Sequence, residues 1–351
     1  MAESAVRGGS AEVTRWIGTA NQGYSPYAME ELRRMFPGAS FEPLAPGETF
    51  LAELPRKRDE VTRELEEQPP IFLRHMQPVE FTLPVRGNAE DLAALGELVR
   101  AEAPRLAGRT VAAHIRKMPG TPYPYAAIDS KEAIDAALEE AGAIPQVRNA
   151  DLLFAVYAGT AGLYAGIGTA REMLSDWPGG AIRFQREEGQ ISRAKFKLLE
   201  AERVFGLDYA SFRRALDIGA APGGWTSLLL ERGLSVTAVD PAELHPSLLK
   251  HERLVYERKN ASEVRYAPGT FDLLVCDMSW SPALMSKLVL NLADALAEGA
   301  TAIVTVKLMH RKPFQTIRET TARLSQAYRV LRAKQLFHNR DEVTLHLARK
   351  L

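Results

Sequence analysis

Three polar residues stand at the ends of apolar runs in the C-terminal half of the sequence. Asp240 closes Leu234-Ser-Val-Thr-Ala-Val, Asp277 closes Phe271-Asp-Leu-Leu-Val-Cys, and Lys307 closes Ala302-Ile-Val-Thr-Val. An acid at the end of a second strand is where a nucleoside-binding βαβ unit hydrogen-bonds a ribose diol. A lysine in that position is a candidate base, because burial lowers its pKa; the competing reading is a lysine whose stem is covered and whose head is solvated. Ahead of all three lies Leu216-Asp-Ile-Gly-Ala-Ala-Pro-Gly-Gly-Trp-Thr226, an apolar strand breaking into a glycine turn that opens a helix. Gly219, Gly223 and Gly224 permit close backbone approach, and Pro222 is expected in the first helical turn. Unpaired amides at such a helix start favour an anionic ligand group. The G-x-x-x-G-G spacing fits neither the dinucleotide pattern G-x-G-x-x-G nor the phosphate loop. A ligand with a carboxylate and a ribose but no phosphate is S-adenosyl-L-methionine. The alternative is a turn that serves packing alone, with Asp240 as a helix cap.

The elements that must position these residues alternate. Strands are predicted at Leu216–Gly219, Ser235–Val239, Leu254–Arg258, Phe271–Cys276, Ala300–Val306 and Glu342–Ala348, with helices between, which predicts a mostly parallel α/β sheet of Rossmann type with ligands beyond the carboxyl ends of its strands. Ser192 is expected to cap the preceding helix, and Gly206 to end it. Trp177-Pro-Gly-Gly180 reads as a linker. With 351 residues, two or three domains are expected. Residues 1–88 predict an α+β layer, with strands at Val13–Gly18, Ile71–Met76 and Val79–Val85 and helices at Pro26–Phe36 and Lys57–Gln68. Residues 89–175 predict helices at Ala89–Ala103 and Ser130–Gly142, a strand at Val111–Lys117 and a hairpin, Leu152–Gly159 with Gly162–Ile167. No acid/base pair or nucleophile cluster falls in either segment, so both read as binding or spacing modules. The catalytic region is 176–351.

Composition narrows the classes further. Apolar residues make up 46% and charged residues 25%, as in a soluble globular protein. No window reaches the length of a membrane span, and Met1-Ala-Glu-Ser shows no basic apolar leader, which predicts a cytoplasmic protein without membrane contact. The single cysteine, Cys276, excludes an internal disulfide, and the histidines show no metal-ligand spacing, so no metal is expected. Basic and acidic residues balance at 44 each, yet from Met309 to Arg340 eight bases (Arg311, Lys312, Arg318, Arg323, Arg329, Arg332, Lys334, Arg340) face one acid, Glu319. A polyanion contact and a solvated amphipathic helix explain that excess equally well.

Taken together, Ser192-Arg-Ala-Lys-Phe-Lys-Leu198, Pro222-Gly-Gly-Trp225, Val275-Cys-Asp-Met278, Val306-Lys-Leu308 and Asn339-Arg-Asp-Glu-Val-Thr344 resemble the FtsJ-type RNA 2′-O-ribose methyltransferases in order and spacing. The resemblance covers roughly the last 160 residues. It implies a Lys-Asp-Lys-Glu tetrad at Lys197, Asp277, Lys307 and Glu342, with Lys307 as general base; Lys195 is a rival for the first position. It implies S-adenosyl-L-methionine contacts at Ser192, Gly219, Ala221, Pro222, Gly223, Gly224, Trp225, Asp240, Asn260 and Asp277. Asn260 departs from the acid that many relatives use toward adenine. RNA is the implied partner, with Arg311 and Lys312 as backbone contacts. The ending Gln335–Leu347 is most similar to members that modify a cytidine ribose in large-subunit (23S) rRNA and carry ferredoxin-like and THUMP regions ahead of the catalytic domain.

Other chemistries fit less well. Methylation of a base amine goes with an Asn/Asp-Pro-Pro-aromatic loop, whereas the loop here is Asp277-Met-Ser-Trp-Ser-Pro282. Ring-carbon methylation needs a cysteine nucleophile, and Cys276, one place before Asp277 on a strand, faces the opposite side. A non-catalytic RNA-binding protein retaining the fold is the runner-up from a different class. A nicotinamide-dependent dehydrogenase is disfavoured by the glycine spacing.

Overall fold

The structure, a computed structural model, describes residues 13–351. The reading of Met1–Ser4 lies outside the described residues. The chain divides into two compact units that meet at Ala181/Ile182.

The first unit contains two sheets. One is built from β1 (Thr14–Thr19), α1 (Ser25–Met35), β2 (Ser40–Ala45), β3 (Thr49–Leu54), α2 (Arg58–Glu67) and β4 (His75–Pro78), in the order β2-β3-β1-β4 with every pair antiparallel. This is the β-α-β-β-α-β ferredoxin-like arrangement. The predicted strand at Ile71–Met76 begins four residues later, because Glu31 accepts from the amides of Ile71 and Phe72 and holds them out of the ladder. The β2–β3 hairpin carries no strict apolar alternation; β3 is buried at five of its six positions.

The second sheet comprises β5 (Phe81–Leu83), α3 (Ala89–Ala101), α4 (Ala103–Leu106), β6 (Thr110–Lys117), α5 (Ala127–Glu140), β7 (Ile144–Pro145), β8 (Leu152–Ala158) and β9 (Leu163–Gly168), in the order β5-β9-β8-β6-β7. The strand read at Val79–Val85 is only three residues long. It pairs with β9, and so belongs to this sheet although it precedes residue 88. Its core joins Val99, Ile134 and Leu138 to Val111, Phe154 and Ile167.

Between these sheets lies a buried polar cluster. Arg116 of β6 donates to Thr19 Oγ1 of β1 (2.6 Å) and Thr49 Oγ1 of β3 (3.1 Å). Arg74 donates to Gly179 O (2.8 Å), Asn21 Oδ1 (2.7 Å) and Glu48 Oε1 (3.1 Å). Trp177–Gly180, read as a linker, is therefore a turn pinned on Arg74. Burial, followed by the charge of Arg116, pushes the pKa of His75 well down, and burial with Arg148 brings His114 to about 4, so both imidazoles are neutral.

The second unit is one seven-stranded sheet with helices. After α6 (Lys195–Phe205) come β10 (Arg214–Ile218), α7 (Gly224–Glu231), β11 (Ser235–Val239), β12 (Leu254–Glu257), β13 (Phe271–Cys276), α8 (Pro282–Asn291), β14 (Leu296–Lys307), α9 (Pro313–Leu324), β15 (Tyr328–Lys334) and β16 (Glu342–Arg349). The order is β12-β11-β10-β13-β14-β16-β15, parallel through the first five, with β16 antiparallel to both neighbours. The order reverses at β10/β13, the crevice where ligands of such sheets bind. β15 was missed from sequence because only two of its seven residues are buried and three are basic, hiding it within the basic segment. Leu228, Leu229 and Trp225 of α7 with Leu198 of α6 cover Leu273, Val275 and Ile303. Among the described residues, no helix is long and apolar enough to cross a membrane.

Candidate active site

The glycine turn sits at the carboxyl end of β10. Gly219 has φ 76°, and a Cβ there would lie 2.6 Å from Met278 Cγ, so a side chain would collide with the loop after β13. A Cβ on Gly224 would lie 2.9 Å from Ser192 Cβ, so glycine lets the segment before α6 rest on the helix start. Gly223, at φ 115°, is the N-cap of α7. Pro222 consequently precedes the cap and is not part of the first helical turn as expected; its peptide bond with Ala221 is cis. The amides of Gly219 and Ala220 donate to Val239 O at 3.0 and 3.3 Å. Those of Gly223, Gly224 and Trp225 meet no acceptor among the described residues and remain for a ligand.

Asp240 follows β11. Its Oδ2 accepts from the amide of Ala221 (3.0 Å) and its Oδ1 from Ala242 (2.8 Å), so the carboxylate ties the glycine turn to the second strand. Each oxygen retains acceptor capacity, so this role is compatible with a ribose contact. Asn260, just past β12, donates from Nδ2 to Glu263 Oε1 (2.8 Å), which leaves its amide oxygen as the acceptor.

Two expectations for this region are corrected. Ser192 is not the N-cap of α6, which is Ala194; the Ser192 hydroxyl accepts from the Ala194 amide (3.1 Å) in the turn leading in, because that turn bonds as a tighter helix before α6 begins. The Trp225 indole is not at the ligand surface. It is 3% exposed in the core and donates to Ala194 O (2.7 Å), since the second position of α7 faces α6.

Asp217 was passed over from sequence as a strand residue. It is 1% exposed, its Oδ2 accepts from Thr226 Oγ1 (2.6 Å), and its Oδ1 has no partner. Burial raises its pKa to about 7, with the charges of Asp277 and Asp240 acting in the same direction against the Thr226 hydrogen bonds. An acid inside an apolar strand was the available signal.

The tetrad residues converge. Lys197 Nζ lies 3.1 and 3.3 Å from the Asp277 oxygens and 2.7 Å from Glu342 Oε2. Lys195 is turned elsewhere, to Glu187 and Glu231, which resolves the rivalry between the two lysines. Burial opposes the charge on Lys197, but Asp277 and Glu342 together hold its pKa above the ordinary value. It is a fixed cation and not a base. Asp277 Oδ1 also accepts from Thr305 Oγ1 (2.7 Å). Lys307 pairs in register with Glu342 across β14 and β16, and shares a strand face with Thr305. It is exposed and has no hydrogen-bond or ion-pair partner among the described residues. Lys307 is exposed where β14 ends at the open rim of the sheet, which is the solvated-head alternative of the two, and Asp277 is engaged by Lys197 and Thr305. Cys276 is fully buried, and desolvation pushes its thiol far up, which disfavours it as a nucleophile.

The basic segment is divided. Arg311, Lys312, Arg318, Arg329 and Arg340 are exposed. Arg323 donates to Ser286 Oγ (2.9 Å), Arg332 to Val204 O (2.7 Å), and Lys334 is 8% exposed. Part of the excess thus serves packing.

A mostly parallel sheet whose order reverses at a glycine turn, with Lys197, Asp277, Lys307 and Glu342 at one rim, is a Rossmann-like fold. Residues 190–334 match the FtsJ-like methyltransferase family. It is similar to Ribosomal RNA large subunit methyltransferase M from Laribacter hongkongensis (37% identity over 188 residues, 49% of this chain and 52% of that protein). The protein of the same name from Halorhodospira halophila is 37% identical over 191 residues, 53% of this chain and 54% of that protein. The chain spans about half the length of the curated relatives it matches. Among solved structures, TrmN from Thermus thermophilus aligns with 96% of this chain and 100% of its own at 14% identity and a TM-score of 0.40.

Proposed function

We propose that this protein transfers the methyl group of S-adenosyl-L-methionine to a ribose 2′-hydroxyl, on a cytidine of 23S rRNA. The observation that carries the reading is the pair of carboxylates Asp277 and Glu342, both hydrogen-bonded by Lys197, with Lys307, unpaired among the described residues, opposite Glu342. The turn suits the cofactor: the amides of Gly223, Gly224 and Trp225 that meet no acceptor among the described residues are available to a carboxylate, and Asp240 offers acceptors to a diol. When bound, the cofactor supplies an electrophilic methyl on a sulfonium. What the chain must add is a nucleophilic hydroxyl in line and the exclusion of water. Lys197, held as a cation, fixes the Asp277 and Glu342 carboxylates. Glu342 sets the place of Lys307 by strand register, and Lys307 Nζ takes the hydroxyl proton.

Arg311 and Lys312, exposed at the start of α9 near Lys307, are suited to phosphate contacts. For the first unit we propose RNA delivery, the first sheet as a ferredoxin-like module and the second as a THUMP-like one. An rRNA substrate places the protein in the cytoplasm. The test is transfer of labelled methyl to 23S rRNA by the purified chain, with mapping of ribose methylation in cells with and without the gene. Loss of one 2′-O-methyl cytidine in the deletion is expected. Tight binding of RNA and cofactor with no transfer would favour a non-catalytic RNA-binding protein.

A further inference from the structure

The start of α8, the loop after β14 and α9 line an open cavity of about 240 Å³. Ser281, Pro282, Met309, Glu319, Thr320 and Arg323 line it. It opens close to the chemistry in the chain: Met309 is two residues beyond Lys307, and Ser281 four beyond Asp277. Next to Ser281, Trp280 is 36% exposed, and Met309 is 51% exposed. Neither ring nor thioether is needed by the core. Glu319, the one acid in the basic segment, is exposed and is one of the residues lining this cavity. Its Oε1 accepts from Gln315 (2.7 Å), and Oε2 accepts nothing among the described residues. Arg323, one helical turn further along α9, lines the same cavity and spends one N–H on Ser286.

An apolar platform, one free carboxylate oxygen and a guanidinium beside it match the face and edge of an unstacked nucleobase. The ring stacks on tryptophan, the carboxylate accepts from an exocyclic amine, and the guanidinium donates to a ring acceptor. Exposed Arg311 and Lys312 on the adjoining turn suit the phosphates of the same strand. We propose that the α8–α9 cavity with Trp280 is a specificity subsite of the methyltransferase site, taking an amine-bearing base of the substrate RNA and disfavouring uracil. This rests on the reading of the domain as an RNA ribose methyltransferase.

The experiment is methyl transfer by the full chain to a 23S rRNA transcript, comparing wild type with Trp280→Ala, Trp280→Phe and Glu319→Gln, each also titrated with S-adenosylmethionine. Trp280→Ala should raise the RNA KM about tenfold, in keeping with one base stacked on one ring, with cofactor affinity unchanged and with Trp280→Phe restoring most of the loss. Uridine placed at the methylated position, or in separate transcripts at each neighbour, should slow the wild type about tenfold at one of those positions; that position identifies whose base enters the cavity. Glu319→Gln should erase the discrimination there. Normal KM for Trp280→Ala, or uridine discrimination retained by Glu319→Gln, overturns the subsite. Absence of transfer by the wild type to any rRNA overturns the underlying reading, and the subsite with it.

Discussion

Two charged clusters, one in each unit, use similar residues to opposite ends. In the first unit Arg74 and Arg116 are enclosed between two sheets, with side chains 8% and 16% exposed, and both donate to carbonyl, hydroxyl or carboxylate oxygens of the same unit. In the second unit Lys197, Asp277 and Glu342 are 18%, 17% and 21% exposed at a sheet rim, and the fourth member, Lys307, is left unpaired. Closed within its own unit, the first cluster ties two sheets together. Half-open and one partner short, the second can receive a substrate and pass a proton. Buried charge alone therefore does not mark a site; an unpaired member on an open rim does.

The difference is broken most directly at Lys307. Lys307→Ala should leave cofactor and RNA binding nearly intact and lower single-turnover methylation by on the order of 10²–10⁴. Lys307→Arg should fail almost as badly, since guanidinium does not release its proton in the working range. A near-normal rate for the arginine variant would mean that this residue acts through charge.

Asp217 tests whether the site is built at a cost to stability. Its folded pKa of about 7 stands above its ordinary 3.8, so the folded state binds the extra proton between those values, and stability falls as pH rises from about 4 to about 7 and is level above. The shift corresponds to about 4 kcal/mol. Asp217→Asn does not titrate, so its stability relative to the wild type should improve steadily across that window by up to this amount in urea unfolding. A difference independent of pH would show that the carboxyl is not desolvated.

In the first unit, Arg74→Met should cost about 3 kcal/mol in the same assay, as expected when one partner of a buried charged network is removed. It should leave cofactor affinity unchanged, and a parallel loss of that affinity would erase the contrast drawn above. Last, Asp240→Ala should weaken S-adenosylmethionine binding by about 1.5–3 kcal/mol, the scale of a charged hydrogen bond. Calorimetry giving an unaltered Kd would leave Asp240 as a brace of the glycine turn alone.

Much of the catalytic unit was legible in the chain. Runs such as Phe271–Cys276 and Ala302–Val306 are continuous and apolar because parallel strands are covered on both faces, and the polar residues that end them stand out for the same reason. The glycine turn was legible as a local pattern, although the contacts that demand Gly219 and Gly224 are with Met278 and Ser192, far away in the chain. The first unit was harder to read, because β2 is largely exposed and β5 is three residues long, so neither has a pattern apart from its partner strand.

What the sequence determined by itself was the set of chemical groups and the strands that end on them, since those follow from local composition and period. Only the tertiary structure decided which groups meet. Lys195 and Lys197 are equivalent by type and two residues apart, yet the rotation of α6 sends one to Glu231 and the other to Asp277 and Glu342. The antiparallel insertion of β16 between β14 and β15 brings Glu342 opposite Lys307, across 35 residues of chain that contain no local signal for that pairing. The register of distant strands and the facing of a helix are set by packing over the whole unit, and a single stretch of residues does not encode them.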